Sequence, residues 1–596
     1  MLLPIWIRFC MSLVALGWVL SFWGELTLAA YEIALGVFIF GELFHLKRMS
    51  KPFLRSLRRT LRRLTSQRLL LPGFFGLSVL LLFFKGAVMP PFHDDGLCYR
   101  IPRALHWIMA HRWHWISAED VRLDVCGTVS EWLTVPILLI FKTDRLVFLP
   151  NWISHLFLPG LIFSVWRNLG VSPRIAWLAM WLLPTGFCFA LQAVNTSNDS
   201  LAAFFALAAF FFALKGRKSA LWSDFALSIL CMFLATGVKL NMLSLGLAWM
   251  IALSYGWRPL LSRPALTAGT LFLGLLVSFA PTALFNWWHS RGWTGLAFDQ
   301  LPPAWVNYVC TTFQIIAQNL MPPLFGGNRV APMVIPGIKG SLMGLLFDYY
   351  SLEPVYYSNI AVEQAGLGFM VVMVLLLMFL ATRAQKRIQP ASREERRLNF
   401  MRKLIFAALG VAFLHYLFFV NSDQPARLIC AYYLLLVPAF FSWRELRSKI
   451  LWQVNKIMVG TAMVLGLGLE FFLTENPPIN FFPAFEERLR WDNEYEQLSH
   501  RFIPDEEKTV GIIRFYDQRE TWLWKPYGSR LVVELPVRPD IVELRKRGIR
   551  YVAVSREILV RNKFNIKTWL NEQPWVLVGS IVLGDDNTWY FVRLND

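Results

Sequence analysis

Apolar stretches of membrane-spanning length recur along almost the whole of this sequence, and that feature alone excludes most folds open to 596 residues. They fall near 4 to 23, 26 to 45, 69 to 89, 146 to 166, 175 to 192, 200 to 214, 222 to 238, 240 to 254, 265 to 285, 366 to 382, 403 to 420, 428 to 442 and 457 to 473. Thirteen such stretches, in a chain 56% apolar and only 17% charged, predict a mainly α polytopic membrane bundle. The first has no small-residue cleavage site and a second follows at once, so it reads as a retained helix rather than a signal peptide.

Charge sets the expected orientation. A net charge of +19 suits nucleic acid when it gathers on a soluble face, but here Lys and Arg stand in short blocks between apolar stretches, as in positive-inside loops. Nucleic acid is therefore excluded as a partner. Residues 47–68 hold nine Lys/Arg and no acid, and residues 383–403 hold eight against two Glu. Threading thirteen spans with both segments cytoplasmic brings the smaller basic loops to the same side: Arg167 with Arg174, residues 215–218, Arg258 with Arg263, and residues 444–456. The N-terminus then lies inside, and residues 90–145, 193–199, 286–365, 421–427 and those after 474 lie outside. The apolar segment 128–141 (TVSEWLTVPILLIF) reaches only about 21 Å as a helix against a bilayer core of about 30 Å, so it is expected to lie in the outer interface.

Past the last stretch the pattern changes. TVGIIRF, RLVVEL, IRYVAV, WVLVGSIVL and TWYFVRL alternate with the helical PDIVELRKRG and a further helix-like run, which predicts a small α/β domain. The expected organisation is residues 1–68 as two helices plus a basic cytoplasmic loop, 69–474 as a membrane core with outer loops 90–145 and 286–365, and 475–596 as an extracytoplasmic α/β domain. Seven scattered cysteines show no metal-type spacing, and packed thiols are favoured over a Cys98–Cys126 pair.

Charges beside a bilayer are costly unless they face water or a cavity, so acids abutting the spans at the outer face are the first candidates for chemistry. Asp94 and Asp95 follow the third stretch, and Asp199 stands in QAVNTSNDS between the fifth and sixth. Converging carboxylates can share a divalent cation such as Mg²⁺ or Mn²⁺, or one can act as base while another orients a substrate. The competing readings are a helix N-cap for Asp199 and a solvated loop residue for Asp94. His111 and His114 stand three apart, as on one helix face, although packing beside Trp113 and Trp115 suits them better than a metal. Glu32, inside the second stretch, calls for a partner. The outer segment 286–365, rich in Pro and aromatic residues, is long enough to cover a cavity as a lid.

These residues carry a resemblance. From Asp95 the frame D-x-x-x-Y, continuing as YRIPRALHWI, resembles the first outer loop of bacterial membrane glycosyltransferases of the GT-C type (family 39-like), the group that contains protein mannosyltransferases and the lipid A aminoarabinose transferase. Members carry W-D-S-x-x-Y-H-L-P-R followed by H-W, and Tyr99, Pro102, Arg103, His106 and Trp107 keep that frame. QAVNTSNDSLAAFF resembles the second outer loop, and ATGVKLN, with Lys239 and Asn241, resembles an element at the outer end of a later span. The resemblance covers roughly residues 69 to 445. Asp94 departs from it by standing where Trp is usual, and Arg100 by standing where His is usual.

The resemblance implies an inverting enzyme of the cell envelope that takes a sugar from a polyprenyl-phosphate donor at the outer face of a bacterial inner membrane. The acceptor is a hydroxyl or amine on a lipid, glycan or protein. It implies Asp95 as base, with Asp199 and the extra acid Asp94 beside it, and Asp95 with Asp199 as holders of a metal if one is used. Lys239 is implied at the leaving phosphate, with Tyr99, Arg100, Arg103, His106, Arg329 and Arg427 as further substrate contacts. A transporter or flippase for a lipid-linked or small polar substrate is the rival reading, for which paired broken spans and mid-membrane charges are expected. A third is a noncatalytic member whose α/β domain binds a partner.

Overall fold

A computed structural model describes residues 2–44, 70–89, 91, 95–295, 304–320, 362, 365–383, 385, 392–420, 422, 424–473, 501–515, 518–572, 574–582 and 588–595. All thirteen apolar stretches are helical where described. Among the described residues, five helices are long and apolar enough to cross a membrane: Leu2–Trp23, Leu70–Val88, Asp199–Ser219, Arg393–Phe419 and Lys449–Leu469. The number rises to seven if two bent pairs each form one span, Pro173–Thr185 with Phe187–Val194 at 61° and Pro264–Val277 with Ala280–Ser290 at 51°. The remaining stretches are mostly shorter or broken helices, such as Trp222–Val238 and Phe369–Arg383. Their outward faces carry exposed Phe272, Leu284, Trp288 and Ile450, a surface suited to lipid rather than water. The protein is a multi-pass membrane protein.

Asp199–Ser219 is the axis of the bundle. It is apolar all round (LAAFFALAAFFFAL) and almost wholly buried, as such a helix must be. Asp199 in its first turn and Arg217 and Lys218 in its last complement the helix dipole. The first helix, Leu2–Trp23, packs into the same bundle, where Gly17 lies under the ring of Trp132 with no room for a Cβ. Glu32 lies on the exposed face of the second helix. All seven cysteines are free.

Three local expectations change. The segment expected at the outer interface is the helix Val129–Phe141, with residues 129–136 all buried inside the bundle. Its Glu131 is paired with Arg100 and Arg103 inside the bundle. His111 and His114 follow the end of the helix Ile101–Met109 and share no helix face. Within the expected outer loop 286–365, the helix Ala280–Ser290 runs in from one side and Ala304–Asn319 forms a helix of its own; the Pro- and aromatic-rich remainder, with Arg329, lies outside the described residues.

The C-terminal residues form a five-stranded sheet of order β2-β1-β3-β5-β4, with β1 Thr509–Ile513, β2 Leu531–Glu534, β3 Tyr551–Ser555, β4 Trp575–Val582 and β5 Thr588–Leu594. β1 pairs in parallel with β2 and β3, while β5 runs antiparallel to β3 and to β4. Short helices between the strands give the α/β pattern read from the sequence.

Candidate active site

The site begins where the helix Ile101–Met109 is entered through a π-helical turn, Gly96–Arg100, capped by Asp95. Gly96 permits this entry, because a Cβ there would overlap the Thr196 hydroxyl of the 193–199 segment. Such π turns displace side chains by one position and recur at functional sites. Here the turn points Asp95 at one of its own cations, Arg100, and at cations from two other places in the chain. Arg427 Nη2 donates to Asp95 Oδ2 at 3.2 Å, and Arg100 and Arg122 stand at 3.9 and 3.8 Å.

Asp199 closes the other side. Lys239 Nζ forms a close ion pair with its Oδ1, Arg427 Nε lies 3.7 Å from Oδ2, and Gln192 Nε2 donates to Oδ2 at 3.4 Å. The carboxylate faces these partners, and the residue at the N-cap of its helix is Asn198. Arg427 thus bridges Asp95 and Asp199. Asp199 is only 2% exposed, whereas Asp95, Lys239 and Arg122 are 19%, 23% and 27% exposed and form the accessible rim. Asp199 is therefore shielded from the rim by Lys239 and Arg427.

Arg427 is itself fixed by the short segment that carries it. Gln318 Oε1 accepts from the Ala426 amide at 2.9 Å, the Tyr433 hydroxyl donates to the Ala426 carbonyl at 3.1 Å, and the Tyr416 hydroxyl donates to the Pro425 carbonyl at 2.9 Å. Asp423, the alternative partner for Arg427, lies outside the described residues, as does Asp94.

The other sequence candidates fall into two groups. Tyr99 stays at the site: its ring lies between the Arg100 and Arg122 guanidiniums at 4.9 and 4.8 Å, and its hydroxyl accepts from Arg100 Nη2 at 2.8 Å. Burial pushes its phenol well above the ordinary range, so it is neutral. Arg103 and His106 point elsewhere. Arg103 pairs with Glu131 at 2.7 Å and donates to the carbonyls of Cys126 and Gly127 at 3.0 and 2.7 Å, entirely buried. His106 packs against Trp524 of the α/β domain at 4.8 Å, and burial, with His114 and Arg514 nearby, lowers it to about 3, so it is a neutral ring.

Three contributors, and a buried cation elsewhere in the bundle, escaped sequence reading. Glu131 looked like one acid in an interfacial run; Arg122 looked solvated, yet Asp120 holds it by two bonds of 2.8 Å. Gln192 had no signal. Lys85, the one charge in the helix Leu70–Val88, is 1% exposed. A lone cation in an apolar stretch was the signal available for it.

A divalent ion shared by Asp95 and Asp199 does not fit this arrangement. The place between the two carboxylates is taken by the Arg427 guanidinium, and among the described residues no third carboxylate, His or Cys joins them as a ligand set.

No family model matches the chain, and no curated protein matches it significantly. Solved structures similar to it include these three. ArnT from Cupriavidus metallidurans in the apo state has a TM-score of 0.39 and 13% identity, covering 87% of this chain and 96% of that one. ArnT from the same organism bound to undecaprenyl phosphate gives 0.39 and 13%, covering 87% and 97%. Arabinosyltransferase EmbB from Mycobacterium smegmatis gives 0.31 and 14%, covering 67% of this chain and 41% of that one. Likeness at this level transfers no residue role.

Proposed function

We propose that the protein is an integral membrane glycosyltransferase that moves a sugar from a polyprenyl-phosphate donor to an acceptor hydroxyl or amine. The proposal includes thirteen spans, a cytoplasmic N-terminus, and the site and α/β domain on the outer face of a bacterial inner membrane. The observation that carries it is the position of Asp95. A partly open carboxylate lies within 4 Å of three guanidiniums at one end of an apolar bundle, with an accessible ammonium on the same network.

The chemistry follows from that arrangement. The acceptor O–H or N–H is a poor nucleophile until its proton is taken, and Asp95 receives that proton as the bond to the anomeric carbon forms. The bond from that carbon to the phosphate oxygen breaks, and its electron pair leaves with the phosphate. Lys239, Arg427 and Arg122 are fixed cations, so they stabilise this growing charge more than they stabilise the bound donor. Asp199 and Asp120 hold those cations in place before the donor arrives. No step requires a metal.

The charges gather at one end of the bundle, which favours an enzyme over a transporter with a mid-membrane site. The test is Asp95→Asn in purified protein supplied with polyprenyl-phosphate sugars. Loss of transfer with the fold intact supports the assignment; normal turnover ends it.

A further inference from the structure

The α/β domain touches the bundle at the element that carries Asp95, and a buried arginine is one of the contacts. Arg514 directly follows β1. Its Nη1 donates to the Gln518 carbonyl at 2.7 Å, its Nε pairs with Glu520 at 3.0 Å, and its Nη2 lies 3.6 Å from Glu534, the last residue of β2. The same Nη2 donates to the carbonyl of Cys98, in the π turn beside Asp95, at 3.3 Å. Glu520 also accepts from Trp524 Nε1 at 3.2 Å, and Trp524 packs on His106 two turns further along the bundle helix.

The turn closes in the π register, where the Gly96 carbonyl accepts from the Ile101 amide, and Pro102 has no N–H with which to continue that ladder at Leu97. Cys98 is fully buried, so the bond from Arg514 to its carbonyl is made away from water. The partner comes from the carboxyl ends of β1 and β2, the edge at which open parallel sheets usually hold ligands. Here that edge holds the bundle.

We propose that Arg514 is a positioning residue for Asp95: the α/β domain supplies a hydrogen bond to the Cys98 carbonyl, and so fixes the π turn that aims the carboxylate at the acceptor. Only the kinetic part of the test depends on the transferase reading, because the structural part needs no substrate.

The experiment uses the full chain in lipid nanodiscs and follows amide exchange by mass spectrometry across residues 95–105. Arg514→Met with Glu520→Gln and Glu534→Gln removes the donor together with the charges at 520 and 534. Exchange at 96–101 is expected to rise about tenfold or more, consistent with the loss of one hydrogen bond from a charged donor. Arg514→Lys keeps a donor and is expected to stay near wild type. Tyr527→Phe cuts a separate tether, the 3.2 Å bond to Asp144, and is also expected to leave 96–101 protected. In the transfer assay, the triple variant is expected to lower kcat about tenfold with donor KM little changed, and Arg514→Lys to recover it.

Unchanged protection at 96–101 in the triple variant overturns the proposal. If β1 and β3 also lose protection in the triple variant, Arg514→Lys decides: exchange at 96–101 as fast as in the triple variant overturns the proposal. Faster exchange in the triple variant, with a wild-type protein that transfers no sugar, would sink the transferase reading and leave this one standing.

Discussion

Two acid–arginine nodes lie side by side in this bundle, and Arg100 touches both. In one, Glu131 meets Arg100 and Arg103 at 3.4 and 2.7 Å, and all three side chains are buried. In the other, Asp95 meets Arg427, Arg100 and Arg122 over 3.2 to 3.9 Å and remains partly open. The groups are the same and the access differs. A sealed pair has its charges compensated by protein alone, so its disruption leaves a buried charge and costs stability. An open carboxylate keeps lone pairs for a substrate, so its loss costs rate. The sealed node also holds the turn on which the open one depends, since Arg100 and Arg103 bracket the entry to the helix Ile101–Met109.

The largest effect expected from this contrast is on rate. Asp95→Asn should lower transfer by about 10²- to 10⁴-fold, the usual contribution of a positioned base, with the thermal midpoint close to wild type. Glu131→Gln should do the reverse. Breaking a buried pair costs about 3–5 kcal/mol, seen in denaturation of the purified protein, while activity per folded molecule falls much less. If Asp95→Asn destabilises as Glu131→Gln does, the two nodes are alike and the open one is structural. Lys239→Gln comes next. It removes a cation from the rim and leaves Arg427 as the main partner of Asp199, so transfer should fall by about 10²-fold through kcat, read by steady-state kinetics with a saturating lipid donor.

The contrast between the nodes marks how much the sequence disclosed. The helices were legible because an apolar stretch of that length has few other ways to satisfy its backbone, and the strands of the α/β domain because alternation is local. Asp95, Asp199, Lys239 and Arg427 could be singled out as charges beside apolar stretches. Their convergence was not legible, because it depends on how four distant segments pack. Glu131 was misread for a related reason: helix length argued for the interface, and only its arginine partners show why a short helix is buried. Arg103 and His106 kept a family frame in the sequence, but the structure gives one to Glu131 and the other to the α/β domain. A motif preserves residue identity and says nothing of the direction in which a side chain leaves its helix.

The smallest effect tests a third node, the buried set around Arg514, and it is read in pH. Glu534 is raised from the ordinary 4.5 to about 8, chiefly by burial, with Glu520, Asp120 and Glu119 adding to the rise and Arg514 opposing it. The folded domain therefore holds this proton more tightly than the unfolded chain does. Its stabilising contribution is complete below the ordinary carboxyl range, declines as pH rises from about 4.5 towards 8, and stays lost above that. The thermal midpoint of the α/β domain, followed by the fluorescence of its tryptophans, should accordingly fall between pH 6 and 8. Glu534→Gln has no proton to lose, so it should flatten that slope and raise the midpoint at pH 8 by a few degrees, roughly the shift expected for a kcal/mol-scale change in a domain of this size. A wild-type slope surviving in Glu534→Gln would place the pH response elsewhere. Its disappearance would mark the Arg514 node as intermediate between the other two: sealed like Glu131, yet sensitive to pH at the contact through which the α/β domain reaches the turn carrying Asp95.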